Sequence, residues 1–269
     1  FDTVINLAGD PVANSPWSAE KRAEIIASRV DVTRQLVKLI TRLHSKPECL
    51  ISGSAIGWYG LHDNEDLTEE ARPHDCFVHE VCASWEHEAD AARQLGVRVV
   101  TLRTGLVLGV EGGMLARLLT PFEFGLGGPM GQGRHWMSWI ALDDVVRMIA
   151  FVIADKGITG PVNATAPNPV TNEVFTRALA ASLNRPAVLR VPARLLEFVL
   201  GDLAREALLG GQKVLPEKAL NAGFHFLHAD IHGCLDTITG SRRGGRPDAV
   251  KRVDQGNRIG AKPPALEGQ

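Results

Sequence analysis

The sequence predicts an α/β fold in which helices cover both faces of a parallel β-sheet, followed by a small helical annex. Short runs rich in apolar residues alternate with longer segments in which apolar residues recur at helical spacing, and the joins between them are short. Strands buried on both faces read as continuous apolar runs, and their alternation with helices is typical of right-handed βαβ units. With 269 residues, the chain is long enough to bury a full core.

The strands of the predicted sheet are short apolar runs followed by small or polar residues. The first run ends in Ala8 and Gly9, and the second opens into a segment rich in glycine and serine. Because these runs have the composition of strands buried in a parallel sheet, we expect them to be neighbours. The predicted neighbouring strands are residues 2–8, 49–53 and 97–103, and a last strand is predicted over residues 160–165.

Two long helices are predicted between these strands. The first begins at Ser18, a typical N-cap residue, and ends near Leu43. The second runs from about Phe77 to Leu95, and Gly96 follows it where a left-handed C-cap is expected. Each helix carries its apolar residues on one side, so each is expected to pack on the sheet.

The chain is predicted to divide into three parts: a core over residues 1–165, an annex over residues 166–240 and a disordered tail over residues 241–269. The tail is rich in glycine, arginine and proline, shows no apolar periodicity, and carries seven basic against three acidic residues. Such a composition cannot bury enough apolar surface to fold. We therefore expect the tail to be dispensable for stability.

Charge and hydropathy argue against two classes of partner. The formal net charge of -2 gives neither the basic footprint of a nucleic-acid-binding protein nor a polybasic membrane signal. The longest apolar run, residues 148–154, is far shorter than the ~20 residues of a membrane span. The expected partner is a small-molecule substrate, and the oligomeric state stays open.

The cysteines predict a reducing compartment. They form no CxxC pair and no spacing typical of secreted domains, so they are interpreted as reduced thiols of a cytoplasmic protein. Two of them alternate with His74 and His79, but the spacing matches no common zinc motif, and no metal site is predicted. No signal peptide is visible, and a preceding segment stays open because Phe1 is not an initiator methionine. The cysteines are Cys49, Cys76, Cys82 and Cys234.

Several motifs occur in an order that is more specific than any of them alone. They are Val4-Ile-Asn-Leu-Ala-Gly9, Ile51-Ser-Gly-Ser54, Tyr59-Gly60, Cys82-Ala-Ser-Trp85-Glu86, Leu102-Arg-Thr-Gly105, Gly127-Gly-Pro129 with Gly131-Gln-Gly133, Trp139-Ile-Ala-Leu-Asp-Asp144, Gly210-Gly-Gln-Lys-Val-Leu-Pro216 and Gly223-Phe224. Together they resemble the extended short-chain dehydrogenase/reductases. The specific resemblance is to the epimerase-like branch, the nucleoside-diphosphate-sugar or NAD-dependent epimerase/dehydratase family, with its C-terminal domain of unknown function. The resemblance covers residues 2 to about 238. It implies a Rossmann-like, doubly wound parallel sheet and NADP as the cofactor, with NAD possible.

The resemblance implies cofactor-binding residues at the carboxyl ends of three strands, where parallel α/β sheets bind dinucleotides. These residues are Ala8, Gly9 and Asp10 after the first strand, Ser52 and Gly53 in the second, and Thr104, Gly105 and Leu106 after the third. Ala8 and Gly9 lack bulk, so the backbone can approach a ribose closely. The alternative is that this Ala-Gly pair only opens a loop.

Four residues are candidates for chemistry or substrate contact. Ser54 stands at the position of the superfamily's catalytic serine or threonine, where a hydroxyl can orient or polarise a carbonyl. Alternatively, it caps local backbone. Tyr59, the only tyrosine in the chain, either supplies a proton or is a packed aromatic. Arg134 and Trp136 are candidates for a substrate pocket, against the alternative of an exposed loop.

The sequence departs from the family pattern at two points. No G-x-G-x-x-G or G-x-x-G-x-x-G turn occurs near its start, so the sheet is expected to lack its first strands. This chain is therefore expected to bind NADP(H) weakly or not at all, and to expose apolar side chains of its first strand. Active short-chain reductases also use a Tyr-x-x-x-Lys dyad, but Val78 and Cys82 stand at those positions.

Two functions therefore remain. The first is an NADP(H)-binding oxidoreductase- or epimerase-like protein acting on a small carbonyl or sugar-like substrate. The alternative is a non-catalytic dinucleotide-binding or sensing module, which the missing dyad favours. A serine hydrolase is set aside, because Ser52 and Ile56 flank Ser54 where a nucleophile elbow has glycines.

Overall fold

The computed structural model of the protein describes residues 1–244. In the first half of the chain its elements are β1 Thr3–Asn6, α1 Ala19–Arg42, β2 Cys49–Ala55, a 3-10 helix Ile56–Tyr59, β3 Asp66–Leu67, α2 Phe77–Asp90, a 3-10 helix Ala91–Leu95, β4 Arg98–Thr104, β5 Leu106–Leu108 and α3 Gly113–Glu123. The remaining elements are β6 Trp136–Met137, β7 Trp139–Ala141, α4 Leu142–Ala154, β8 Gly160–Ala164, β9 Val170–Thr171, α5 Asn172–Ser182, α6 Ala193–Leu200, a π-helix Ala204–Leu208, β10 Lys213–Val214, α7 Glu217–Asn221 and α8 Ile231–Gly244.

In residues 1–244, the main sheet has four strands in the order β1-β2-β4-β8, and every neighbouring pair is parallel. The prediction that the first three apolar runs are parallel neighbours is confirmed. Within residues 1–244, β1 pairs on one side only, and its Ile5 and the following Leu7 are 47% and 54% exposed. The carboxyl ends of β2 and β4 lie side by side, with Ala55 opposite Thr104.

Helices cover both faces of this sheet, as predicted. On one face, Leu50 and Val99 pack with residues of α1 and α2. On the other face, the next residues of the same strands, Ile51 and Val100, pack with α4 and with Phe224. Successive side chains of a strand point to opposite faces, so these two central strands contribute to both halves of the core.

The ends of the two long helices follow from their capping residues. The Ser18 side chain accepts a hydrogen bond from the Lys21 backbone N–H, which satisfies one of the free donors at the start of α1. The segment after α2 tightens into a 3-10 turn and ends at Gly96, whose φ of 76° is left-handed. Both predicted helices and both caps are confirmed.

The annex is not purely helical. Its β10 pairs with β3, and β9 pairs with β6, so two short strands tie the annex to the core. A strand of two residues has no periodicity, and the sequence analysis missed both. One hydrophobic cluster joins Leu115 and Trp139 to Phe175 and Leu235. The boundary between core and annex at residue 165 stays a prediction.

Helix α8 continues through Gly244, over the first four residues of the predicted tail, and the boundary between annex and tail stays a prediction. The rest of the predicted disordered tail, residues 245–269, lies outside the described residues. Over residues 1–244, no helix is long and apolar enough to cross a membrane.

Candidate functional site

A cavity of about 380 Å³ lies beyond the carboxyl ends of β2 and β4. Four of the residues predicted at these ends line it, together with one of the two predicted substrate residues; they are Ser54, Thr104, Gly105, Leu106 and Trp136. Helix α2 forms one wall through Phe77, Val81 and Trp85. The main sheet, α2 and β6 therefore bring residues that are more than 80 positions apart in the sequence to one site.

The residues predicted at the end of β1 lie beside the cavity and do not line it. Ala8 and Gly9 are exposed. Arg29 connects these residues to the cavity, because it lines the cavity and its Nη2 donates to the Asp10 carbonyl oxygen at 2.9 Å. The Asp10 carboxylate forms an ion pair with Lys21.

Ser52 and Gly53 do not line the cavity either. Ser52 is fully buried, and its hydroxyl donates to the Gly53 carbonyl at 3.3 Å. A Cβ atom at Gly53 would lie 2.8 Å from the Trp85 ring. This glycine therefore allows α2 to approach β2 closely.

Ser54 is held by a buried ion pair. Its Oγ donates to Glu86 Oε1 at 2.6 Å, and a carboxylate oxygen can only accept. Glu86 also accepts two hydrogen bonds from Arg103, at 2.8 and 2.9 Å. The hydroxyl proton of Ser54 therefore points to Glu86, and only oxygen lone pairs are left to face the cavity. Polarising a ligand carbonyl would require that same proton.

Tyr59 lies on the far side of the same ion pair, away from the cavity. Its ring is completely buried, its hydroxyl donates to Asn163 Oδ1 at 2.7 Å, and it accepts from Arg103 Nη1 at 3.3 Å. Burial raises the pKa of Tyr59 to about 12. This placement matches the alternative of a packed aromatic and leaves Tyr59 without access to a cavity ligand.

The positions of the missing dyad both line the cavity. Val78 and Cys82 form part of the α2 wall. Cys82 is almost fully buried, and this burial raises the pKa of its thiol to about 12. The thiol is neutral at neutral pH, so it is neither a proton acceptor nor a nucleophile there.

Only one of the two predicted substrate residues lies at the cavity. Arg134 is exposed and does not line the cavity. Trp136 does line it, with its Nε1 donating to Asn64 Oδ1 at 2.9 Å and the Lys213 ammonium 4.9 Å from its ring centroid. The adjacent His135 is a lining residue that the sequence analysis missed. Burial lowers the pKa of its imidazole, and its Nε2 has no hydrogen-bond partner within the described part of the chain.

Sequence reasoning also missed the roles of Glu86 and Arg103, although both stand in quoted motifs. The signal was present: Glu86 falls on the apolar face of α2, and Arg103 falls in a strand that is predicted to be buried on both faces. Charges at such positions are rarely buried unless they are paired. Arg103 also stacks on Trp58, with its guanidinium carbon 3.4 Å from the ring centroid.

This fold and this cavity define a class of protein: an open, parallel α/β sheet whose ligand site lies beyond the carboxyl ends of its strands. The chain belongs to the NAD dependent epimerase/dehydratase family, whose model matches residues 1–164. A second model, described as a domain of unknown function, matches residues 191–238. The resemblance inferred from the motifs is confirmed.

Relatives and solved structures agree with this assignment. The chain is 36% identical over 244 residues to epimerase family protein YfhF of Bacillus subtilis, covering 90% of this chain and 80% of that protein. It is 39% identical over 238 residues to epimerase family protein Mb2239 of Mycobacterium bovis, covering 88% and 78%. The structure of human epimerase family protein SDR39U1 with NADPH matches with a TM-score of 0.83 and 29% identity, covering 89% and 82%. A UDP-glucuronic acid 4-epimerase from Bacillus cereus, at 17% identity and a TM-score of 0.72, covering 90% and 75%, shares the fold.

Proposed function

We propose that this chain binds a nicotinamide dinucleotide, NADP(H) with NAD as the alternative. We further propose that it acts as an oxidoreductase- or epimerase-like protein on a small carbonyl or sugar-like substrate. The observation that carries the proposal is the cavity at the carboxyl ends of β2 and β4, lined by Ser54, Thr104, Gly105 and Leu106. The choice of NADP(H) is supported by the human relative solved with NADPH.

The residues at this edge of the sheet fit such a cofactor. Ala8 and Gly9 are exposed and small, so they leave room for a ribose after β1. Residues 104–106 would hold the nicotinamide end, because they continue from the end of β4 into the cavity wall. A bound nicotinamide supplies or accepts a hydride. The apolar side chains of α2 would exclude water from the reacting atoms, and Ser54 would orient a substrate hydroxyl through its oxygen lone pairs.

Calorimetric titration with NADPH and NADH, carried to millimolar concentration because weak binding is expected, tests this proposal. We expect saturable binding of NADPH. Ala8→Glu places a negative charge where the cofactor is expected and should weaken binding at least about ten-fold. Ala222→Glu, at an exposed alanine remote from the cavity, is the matched control and should bind like the wild type. Failure of both cofactors to bind would overturn the proposal.

A specific observation favours a second candidate, a dinucleotide-binding module without chemistry. Val78 and Cys82 stand at the cavity wall where active reductases have tyrosine and lysine, and neither transfers a proton at neutral pH. Incubating the chain with NADPH and a panel of carbonyl compounds separates the two. Loss of NADPH absorbance with any carbonyl supports an enzyme, whereas binding without turnover supports the module.

A further inference from the structure

We propose that the cavity binds an apolar, ring-bearing alcohol, and that Ser54 accepts a hydrogen bond from the alcohol hydroxyl. The inference deepens the proposed function, on which it rests only in taking this cavity as the substrate site. It assigns Ser54 the role of an acceptor that selects a ligand donor, and it excludes a sugar diphosphate from this cavity.

The first argument is the composition of the wall. Apolar side chains from α1, α2, β5, α3 and the segment before α1 surround the volume of about 380 Å³; among them are Trp17, Ile25, Phe77, Trp85, Leu106 and Met114. Burying a polar sugar against such a wall leaves its hydroxyl groups without partners, which is costly. An apolar ring system gains free energy from the same wall.

The second argument is the direction of the hydroxyl groups. In the part of the chain that the structure describes, three hydroxyl side chains line the cavity, and each donates its one proton to a protein acceptor. Ser54 donates to Glu86 Oε1 at 2.6 Å, Thr104 to the Ser54 carbonyl at 3.0 Å, and Ser138 to the Gln212 carbonyl at 2.7 Å. A hydroxyl that has donated its proton offers only lone pairs. These hydroxyls therefore suit a ligand that brings its own donor.

The indole N–H groups of the tryptophans in the cavity wall also donate to protein acceptors. Trp17 Nε1 donates to the Val12 carbonyl at 2.8 Å, and Trp85 Nε1 donates to Thr33 Oγ1 at 3.0 Å. Trp136 already donates to a side-chain amide oxygen outside the lining. These six side chains offer a ligand carbonyl no donor. His135 Nε2, a buried lining nitrogen without a partner in residues 1–244, is the group that such a carbonyl could still use.

The third argument is charge. Among the described lining residues, Arg29 and Glu206 are the charged ones, and both are engaged. Arg29 donates to the Ile25 and Asp10 carbonyl oxygens at 3.1 and 2.9 Å, and Glu206 accepts from the Val78 N–H at 3.1 Å. A diphosphate is normally held by free arginine or lysine groups or by a helix N-terminus. One guanidinium that already donates to two backbone carbonyls does not supply that.

Ser54 is the acceptor that best fits a ligand hydroxyl. It stands at the end of a central strand, and its own hydrogen bond runs to a carboxylate that two arginine hydrogen bonds hold in place. A hydroxyl that donates to a charged acceptor becomes a stronger acceptor itself. The Glu86–Arg103 pair is therefore the positioning element, and Ser54 is the contact.

Quenching of tryptophan fluorescence tests this proposal, because three of the five tryptophans line the cavity. The probes are 2-decalol, its methyl ether and 2-decalone, which share one saturated bicyclic body and differ in donor and acceptor groups. UDP-glucuronic acid is the polar comparison. Each is titrated into the full chain with and without NADPH. We expect the alcohol to bind about three- to ten-fold more tightly than the ether or the ketone. We expect no saturation with UDP-glucuronic acid.

Ser54→Ala should abolish the preference for the alcohol while the ketone binds unchanged. Ser182→Ala is the matched control, because this serine also donates to a protein carbonyl but lies outside the cavity. Should the Ser54 variant fail to fold, the wild-type ligand series still decides. Equal or tighter binding of the ketone, or saturable quenching by UDP-glucuronic acid, would overturn the proposal. An alcohol preference without any NADPH binding would sink the proposed function and leave this inference standing.

Discussion

The Glu86–Arg103 ion pair lies between two residues, Ser54 and Tyr59, whose hydroxyl groups the sequence alone presents as equal candidates for chemistry. On one side, Ser54 faces the cavity; on the other, Tyr59 packs against Leu67 and Val214 and donates to Asn163 of β8. Both hydroxyls donate to a buried acceptor, and they lie five residues apart. Only the first borders a space in which a ligand can bind. Access to the cavity, rather than residue type or sequence distance, therefore assigns the functional role.

The largest expected effect comes from breaking the ion pair that both regions share. Arg103→Met leaves the Glu86 carboxylate buried without its partner, which should cost roughly 3–5 kcal/mol of unfolding free energy. Urea denaturation measures it. Arg177→Met, which breaks an exposed pair with Glu173, should cost less than about 1 kcal/mol. Equal losses of unfolding free energy in the two variants would mean that the buried ion pair stabilises the fold no more than the exposed pair does.

The turn beyond Tyr59 tests how tightly the enclosed side is packed. Gly60 has a φ of 73°, and a Cβ atom there would overlap the His74 carbonyl oxygen. Gly60→Ala should therefore destabilise the fold by roughly 2–3 kcal/mol. Gly96 has a φ of 76° with open space around it, so Gly96→Ala should cost only about 1 kcal/mol. Thermal unfolding is measured for both variants. Because both glycines have a similar positive φ, the difference in stability between the variants gives the cost of the steric overlap at Gly60 alone.

The two hydroxyls should also differ in their contribution to stability. Tyr59→Phe leaves the buried Asn163 Oδ1 without its donor, at an expected cost of about 1–3 kcal/mol. Ser54→Ala leaves Glu86 with both arginine hydrogen bonds and should cost about 1 kcal/mol. Chemical denaturation under one set of conditions compares them. A greater loss of unfolding free energy for Ser54→Ala than for Tyr59→Phe would contradict the placement of Tyr59 in the enclosed region and of Ser54 at the cavity.

The smallest effect is a loss of stability in alkali. Burial raises the pKa of Cys82 to about 12, above that of an unfolded thiol. Because the folded-state pKa is raised, the contribution of the buried thiol to the free energy of unfolding is intact below the unfolded pKa. It is lost as pH rises from about 8.5 toward 12. By about pH 9.5 the loss should be about 1 kcal/mol. Cys82→Ala should flatten this part of the profile, and an unchanged slope would contradict the assignment.

The sequence was sufficient for the fold wherever local and global signals agreed. Ser18 and Gly96 are caps by chemistry alone, and the strands are buried on both faces, so their apolar runs were unmistakable. The three-dimensional path of the chain was needed to separate Ser54 from Tyr59. Residues 8–10 follow a strand end as predicted but lie beside the cavity, because Arg29 of α1 lies between them and it. Such placement depends on tertiary packing, which no periodicity encodes.

The most direct test of the difference between the two hydroxyls is binding of 2-decalol to Ser54→Ala and Tyr59→Phe in the same fluorescence titration. We expect the serine variant to lose about three- to ten-fold in affinity, because the ligand hydroxyl loses its acceptor. The tyrosine variant, corrected for any unfolded fraction, should bind like the wild type. Weakened binding in the tyrosine variant with normal binding in the serine variant would contradict the account.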